Sequence, residues 1–421
     1  MDEEERGTYE YVASFVDDLC CASHDVMSLI EEFKQAYSLK GVGSPIYYLG
    51  GDIVDLTKLW KDEGLVVGLS AETYINRIVG NFEREIGKDK ENWEFRKARS
   101  PLPDGYHPEI CESPLLNPDR ASFYRSMVGA LQWIVAIGRV DVAYSASSMA
   151  RFGALPREGH LEAMYRVFGY LKTFPKGQVV VDHRRFDDEY EKMPHNVNMR
   201  DWFQQYPGAD AILDIPEDAP EALGKEVRIR CYFDADHAHD LVTRRSITGI
   251  LIYVNKTPIK WYSKRQPTVE TSTYASELTA GRIAVEQIIA FRYMLLMMGV
   301  KVIDPSLMLG DNNGMVLNTT IPGSVLKKKN CAVAYHRVRE AYCGGLMIIA
   351  HVRSEHNRAD VLTKAMGPLK HMQCVWPIMF SKPAMILKSG VTHVYHMGSG
   401  YGDGVLKTLV HSYKVYVRKW Q

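Results

Sequence analysis

The chain has 421 residues, room for about three domains at roughly 150 residues each. Its 46% apolar and 24% charged residues are those of a globular protein, which excludes a disordered or membrane-embedded chain. Lys plus Arg and Asp plus Glu both total 51, a balance that argues against a nucleic-acid partner until it is resolved along the chain. Residues 228–368 hold 19 basic against 11 acidic residues, whereas 187–226 hold 11 acidic against three basic, so a basic module follows an acidic connector.

In chain order, residues 9–21 alternate and then run apolar around Asp17 and Asp18, which predicts two strands meeting at a tight turn that carries a carboxylate pair. Helical spacing follows at 27–37, a strand containing Gly50 and Gly51 at 46–54, and a helix at 73–82. Prolines 101, 103, 108, 114 and 118 mark a loop or domain boundary. Residues 121–152 and 158–174 have three- and four-residue apolar spacing and predict a helical pair broken at Leu155-Pro156. Residues 184–222 are polar, acidic and proline-punctuated, as a linker or insertion is.

From Val227 the texture changes. Strand-like runs at 227–233, 248–254 and 259–263 predict an antiparallel meander, followed by a long helix at 274–298 and a short strand at 306–309. A short helix from Asn312, a helix at 333–342, a strand at 346–352 and a last helix at 358–365 complete the order. The seven cysteines include adjacent Cys20 and Cys21 but no CxxC or Cys/His zinc spacing, and read as reduced intracellular thiols. The N-terminus opens on an acidic run, and no segment approaches the roughly 20 apolar residues of a membrane span, so neither secretion nor a membrane partner is expected.

Four acids stand at element ends: Asp234 closes the first strand of the meander, Glu277 lies in the first turn of the long helix, Asp311 follows the fourth strand and Asp360 opens the last helix. If the first and fourth strands are neighbours, their C-terminal ends bring Asp234 and Asp311 together, and a crossing helix adds Glu277. Mg²⁺ prefers oxygen ligands in an octahedron and is commonly held by a few carboxylates plus phosphate oxygens. Two such ions about 4 Å apart can activate water and stabilise a leaving oxygen. Taken singly, each acid also has an ordinary explanation: Asp234 and Asp311 as turn residues, Glu277 as a solvated helix face, Asp360 as a helix N-terminal charge.

The surrounding strings are more specific. Tyr232-Phe233-Asp234-Ala235-Asp236, Arg245-Ser246-Ile247-Thr248-Gly249, Ile259-Lys260-Trp261-Tyr262-Ser263-Lys264, Ser272-Thr273 through Glu277, Asp311-Asn312, Tyr335-His336-Arg337-Val338-Arg339-Glu340, and Ala359-Asp360 with Thr363-Lys364 occur in one order. In that order they resemble the ribonuclease H domain of copia-type LTR retrotransposon polyproteins. The resemblance implies a ribonuclease H-like fold, with a mixed sheet built on the three-strand meander plus helices. It also implies a metal site of Asp234, Glu277, Asp311 and Asp360 holding two Mg²⁺, with Mn²⁺ as an alternative, and leaves Asp236 outside it. His351 stands at a spacing similar to the mobile histidine of cellular ribonucleases H, which would assign it to product release; an ordinary surface histidine is the competing reading. The sequence departs from the family where a Lys-His pair is usual, here Lys329 and Asn330, and where a second acid often precedes the helix Glu, here Ala275. An RNA–DNA hybrid is the implied partner, read by shape, phosphates and ribose hydroxyls. Lys264, Arg265, Lys327, Lys328 and Lys329 are candidates for backbone contacts, and Ser276 and Asn312 for a ribose hydroxyl; a solvated charged surface is the competing reading for each lysine or arginine.

Phe15-Val16-Asp17-Asp18-Leu19 resembles the Tyr-Val-Asp-Asp turn of reverse transcriptases, with Asp17 and Asp18 as polymerase carboxylates. Tyr47-Tyr48-Leu49-Gly50-Gly51-Asp52-Ile53, Tyr74-Ile75-Asn76-Arg77-Ile78, Gly129-Ala130-Leu131-Gln132-Trp133-Ile134, Arg139-Val140-Asp141, His160 and Tyr170-Leu171-Lys172 follow in the copia order. The expected architecture is a multidomain mix of α/β and α+β units. It comprises a truncated reverse transcriptase palm and thumb at 1–110, a helical connection at 111–182, an acidic linker at 183–226, the ribonuclease H-like domain at 227–368 and an unassigned tail at 369–421. A polymerase also needs an upstream palm Asp, so polymerase activity is not expected. The expected function is hydrolysis of the RNA strand of RNA–DNA hybrids by two-metal carboxylate catalysis. The alternative is an inactive nucleic-acid-binding remnant. Other polyprotein chains are implied as partners, and an intracellular location is expected, in a cytoplasmic particle or the nucleus.

Overall fold

The computed structural model describes residues 7–16, 18–57, 66–88, 92–194, 201–202, 204–209, 213, 215–303, 305–327 and 329–379, together with the backbone of 414–418. Strands β1 (Tyr11–Phe15) and β2 (Asp18–Ser23) form the predicted antiparallel hairpin, with Phe15 opposite Asp18. Val16 enters the turn at φ 49°, a left-handed conformation rare for a β-branched residue. Helix α1 (Val26–Ala36) starts at Asp25, whose carboxylate accepts the Ser28 N–H at 3.1 Å.

The stretch 46–54, read as one strand, is instead a hairpin of β3 (Tyr47–Tyr48) and β4 (Gly51–Asp55). Leu49 and Gly50 both take positive φ at its turn, and a Cβ on Gly50 would meet Trp133 Nε1 at 2.9 Å. Strand β5 (Val67–Ser70) extends this sheet. Helices α2 (Glu72–Gly87), α3 (Pro118–Ala136), α4 (Ala143–Ala150) and α5 (Glu158–Thr173) gather around Phe82, Tyr124, Met127, Leu131 and Phe168, and β6 (Gln178–Val181) closes the four-stranded sheet in the order β3-β4-β5-β6. Helix α3 begins where Asn117 caps the Arg120 N–H at 2.9 Å and Pro118 supplies a preset first turn. The predicted continuous helix over 121–152 is interrupted between α3 and α4, where Arg139 and Asp141 form a fully buried bidentate pair at 2.9 and 2.7 Å.

The acidic stretch that follows packs against the next sheet. Asp188 accepts both Arg230 Nη1 and Nη2, at 2.5 and 2.8 Å, Glu191 accepts Nη2 at 2.9 Å, and Trp202 is buried beside Cys343. Strand β7 (Leu223–Val227) leads into β8 (Ile229–Asp236), β9 (Ile247–Val254) and β10 (Thr257–Arg265), the predicted antiparallel meander, and then into α6 (Thr273–Met297), capped by Ser272. Strand β11 (Val300–Val302) pairs in parallel with β7; β12 (Ser306–Gly310), α7 (Asn313–Thr320), α8 (Ala332–Cys343) and β13 (Met347–His351) follow. The central sheet runs β10-β9-β8-β12-β13, with β12 parallel to both β8 and β13. The predicted last helix is a 3₁₀ turn, Arg358–Leu362, and the tail begins with α9 (Pro368–Met379).

Both faces of this mixed sheet are covered. Phe233, Ile250, Ile252 and Met308 pack on Ala284, Ile288 and Val338 of α6 and α8. On the other face Tyr232, Leu251, Tyr253, Leu307 and Ile348 pack on Val140, Ala143, Val179, Ile378 and Met379, from the helical segment, β6 and α9. The near-continuous burial of β8 and β9 follows from this two-sided cover. Among the described residues, no helix is long and apolar enough to cross a membrane.

Candidate active site

The parallel pairing of β8 with β12 sets the site. Tyr232 stands opposite Leu309, so Asp234 and Asp311, each two residues further along, emerge at the same end of the sheet. Glu277 arrives from the opening turns of α6, which crosses that end. Asp234, Glu277 and Asp311 each offer one oxygen, and these oxygens lie within 4.8 Å of one another. Asp234 and Glu277 are 5% and 3% exposed, and Asp311 is half-buried.

Two neighbours orient the pair. The Ala235 N–H donates to Glu277 Oε1 at 3.3 Å, and Thr363 Oγ1 donates to Asp234 Oδ2 at 2.6 Å. Glu277 Oε2 is buried without a hydrogen-bond partner among the described residues. An orphaned buried carboxylate oxygen among converging acids fits a hard divalent cation, which takes oxygen donors and repays their desolvation. Without an ion, burial pushes Asp234 up to about 7, an effect opposed by Lys364 and reinforced by Asp360. Burial, then Asp234 and Asp311, push Glu277 well above the carboxylate range.

Asp360 stands beside this group rather than within it. The 3₁₀ turn that carries it is pinned by Asn357, whose Nδ2 donates to the Phe233 carbonyl at 3.0 Å and whose Oδ1 accepts the Ala359 N–H at 3.1 Å. The turn lies on Gly249, which is paired with Asp234 across β9 and β8; a Cβ there would meet the Ala359 carbonyl oxygen at 2.7 Å. The Asp360 carboxylate, 7% exposed, is paired with Lys364 Nζ and, at 3.3 Å, with Lys370 Nζ.

The remaining expected site residues lie apart from the cluster or in other contacts. His351 ends β13, exposed, and donates through Nε2 to the Asp311 carbonyl at 3.1 Å. Asn312 caps α7 by accepting the Met315 N–H at 2.9 Å. Ser276 is a correction: it is 0% exposed, with its hydroxyl on the Thr273 carbonyl, because α6 packs that side against the sheet, so it presents no surface to a ribose. Arg265 pairs with Asp240 at 2.7 Å, whereas Lys264, Lys327 and Lys329 are exposed. Asp18 pairs opposite Phe15; Asp17 and Lys328 lie outside the described residues.

Asn357, His239 and Tyr144 are contributors that the sequence reading missed. His239 Nδ1 lies 2.6 Å from an Asp236 carboxylate oxygen, and its Nε2 lies 2.8 Å from the Tyr144 hydroxyl, so the ring bridges the two side chains. Asp236 is thereby turned toward α4. Asn before Arg358-Ala359-Asp360 is a recognisable cap signal; the Tyr144–His239 contact has none, because its partners are far apart in sequence.

Fold and site together define a mixed α/β protein with a carboxylate cluster, suited to a hard divalent cation, at the end of a central strand. By sequence the chain is a homologue of the Pol polyproteins of copia-type transposons. It is 25% identical over 360 residues to the retrovirus-related Pol polyprotein from transposon RE1 of Arabidopsis thaliana, covering 85% of this chain and 21% of that polyprotein. It is 23% identical over 371 residues to that of transposon TNT 1-94 of Nicotiana tabacum, covering 86% and 24%. The chain thus spans about a fifth of the length of these curated relatives. No protein-family model matches it. Among solved structures, RNase H1 from Halobacterium salinarum aligns with 33% of this chain and 95% of its own at 18% identity and a TM-score of 0.26. LC11-RNase H1 in complex with RNA/DNA hybrid aligns with 32% and 94%, at 18% identity and a TM-score of 0.27.

Proposed function

We propose that residues 227–368 form a divalent-metal-dependent nuclease of the ribonuclease H type that hydrolyses the RNA strand of an RNA–DNA hybrid. The observation that carries this reading is the convergence of Asp234, Glu277 and Asp311 within 4.8 Å at the C-terminal ends of β8 and β12, with Glu277 Oε2 left without a partner among the described residues. Asp234, Glu277 and Asp311 would hold the ion, with Asp360 as the fourth carboxylate. Bound Mg²⁺, or Mn²⁺ in its place, would supply Lewis acidity toward the scissile phosphate and a more acidic water.

The chain's own residues do the rest. Thr363 holds one oxygen of Asp234, and the Ala235 N–H one oxygen of Glu277, so the remaining oxygens would be offered to the ion without reorganisation. Water is the nucleophile, and a 3′ hydroxyl and a 5′ phosphate are the products. His351, whose ring bonds the Asp311 carbonyl, would meet the departing product in this reading; an ordinary surface histidine is the competing one. Lys264, Lys327 and Lys329, exposed to solvent, supply phosphate contacts. Residues 1–110 and 111–182 are read as reverse transcriptase palm and thumb and as connection, without polymerase activity of their own.

Cleavage of a labelled RNA–DNA hybrid by the full chain with Mg²⁺ tests this. Cutting is expected to stop with EDTA and in Asp311→Asn. Failure of a folded wild-type chain to cut with Mg²⁺ or Mn²⁺ would contradict the reading. It would favour a non-enzymatic nucleic-acid-binding protein, the reading to which the pairing of Asp360 with two lysines lends weight.

A further inference from the structure

Asp360 differs from the other three acids in one respect: both of its oxygens are taken by ammonium groups of this chain, Oδ1 by Lys364 and Oδ2 by Lys370. The two lysines are not alike. Lys370 is largely exposed, at 57%, and a surface ion pair of this kind contributes little. Lys364 is one turn on from Asp360, its side chain 32% exposed, and it directly follows Thr363, which bonds Asp234.

The placement is not accidental to the backbone. Gly249 lets the Arg358–Leu362 turn lie on the sheet opposite Asp234, and Asn357 ties that turn to the Phe233 carbonyl. Thr363 and Lys364 therefore leave the turn pointed at the acidic end of β8. Lys364 is ion-paired with Asp360, and its chain neighbour Thr363 bonds Asp234, so the backbone carries one ammonium group to the edge where these two acids meet.

We propose that Lys364 is a built-in counter-cation that holds Asp360 in the metal-free chain and competes with a divalent ion for the Asp234–Asp360 side of the site. This rests on the nuclease reading above. Asp234, Glu277 and Asp311, which make no ion pair with lysine among the described residues, would hold one ion, whereas an ion on the Asp360 side would have to displace Lys364. Lys364 is a positioning residue here; it makes the second ion's affinity weak and tunable while keeping the empty site from repelling itself apart.

The test is calorimetric titration of the full chain with Mn²⁺, beside Lys364→Met and the charge-conserving Lys364→Arg, with thermal melting of each in EDTA and in saturating Mn²⁺. Removing the unit charge paired with Asp360 is expected to tighten the weaker Mn²⁺ site by about tenfold or more, while Lys364→Arg stays near wild type. Lys364→Met is also expected to melt lower than wild type in EDTA and to recover the difference in Mn²⁺, since binding to the native state adds stability. Should Lys364→Met not fold, Lys364→Gln gives the same readout with a polar head retained.

Unchanged or weaker Mn²⁺ binding in a folded neutral variant would overturn the proposal and leave the nuclease reading intact. Absence of any Mn²⁺ binding by folded wild type would overturn both.

Discussion

At the scale of single residues, the site is a cluster of acids taken out of water and left to share the consequences. Asp234 is pushed up to about 7 by burial, against roughly 3.9 in an unfolded chain, and Glu277 stands well above its ordinary value. Between about pH 4 and 7 the folded chain keeps protons that the unfolded chain has released. Their contribution to stability is fully present below the unfolded values and is lost as pH rises through the folded ones. His160 and His371, held below the ordinary histidine range by burial, act in the opposite direction up to about 6.5. The comparison that isolates the acids is therefore wild type against Asp234→Asn. In EDTA, the gain in denaturation midpoint of Asp234→Asn over wild type is expected to grow from pH 5 to pH 8. Saturating Mg²⁺ should cancel that gain, because the ion binds the deprotonated carboxylates and displaces their protons. A gain independent of pH in EDTA would mean that Asp234 is already ionised in the metal-free chain.

At the scale of elements, the join between helical segment and sheet turns on Asp141. Its carboxylate takes Arg139 Nε and Nη2 and the Tyr170 hydroxyl, and its carbonyl takes His371 of α9. Breaking a buried, fully bonded ion pair from one side leaves the other charge stranded, at a cost of roughly 3–5 kcal/mol. Asp141→Ala is expected to lower stability by about that much in a denaturant titration, whereas a loss within a few tenths would show that Arg139 finds water. Arg139-Val140-Asp141 was visible as a string, but its role was not: spacing predicted one helix through it, and only the packed structure shows a 3₁₀ turn closing on a charge pair. The same holds elsewhere. The β8–β9–β10 meander was legible because its strands are short, apolar and separated by polar turns. The Leu49-Gly50 turn was not, because it is embedded in an apolar run that reads as one strand. The four acids were legible as element ends, yet the Lys364–Asp360 pair and the Tyr144–His239–Asp236 chain are products of tertiary approach with no local periodicity to announce them.

At the scale of the whole molecule, boundaries drawn from composition at 182 and 226 cut across a shared core. The sheet face carrying Tyr232, Leu251, Tyr253, Leu307 and Ile348 is covered by Val140, Ala143 and Val179 from before the acidic stretch and by Ile378 and Met379 from after residue 368. Trp261 Nε1 donates to the Val135 carbonyl at 3.1 Å, Arg151 pairs with Asp240, and Tyr144 meets His239, so polar contacts follow the same seam. Uncovering five large apolar side chains at roughly 1.5–3 kcal/mol each forfeits about 7–15 kcal/mol, the same order as the entire net stability of a typical domain, about 5–15 kcal/mol. Residues 227–368 expressed alone are therefore expected to bind a hydrophobic dye and to melt without a cooperative transition, while the full chain, which keeps both covers and the α2–α5 core beneath one of them, melts cooperatively. The proposed nuclease would then need the helical segment as part of its own fold, and its cleavage rate should not survive loss of residues 111–182. A cooperative melt and full cleavage rate for 227–368 alone would show instead that the sheet's second face tolerates water, and that the seam is a docking contact between independent domains.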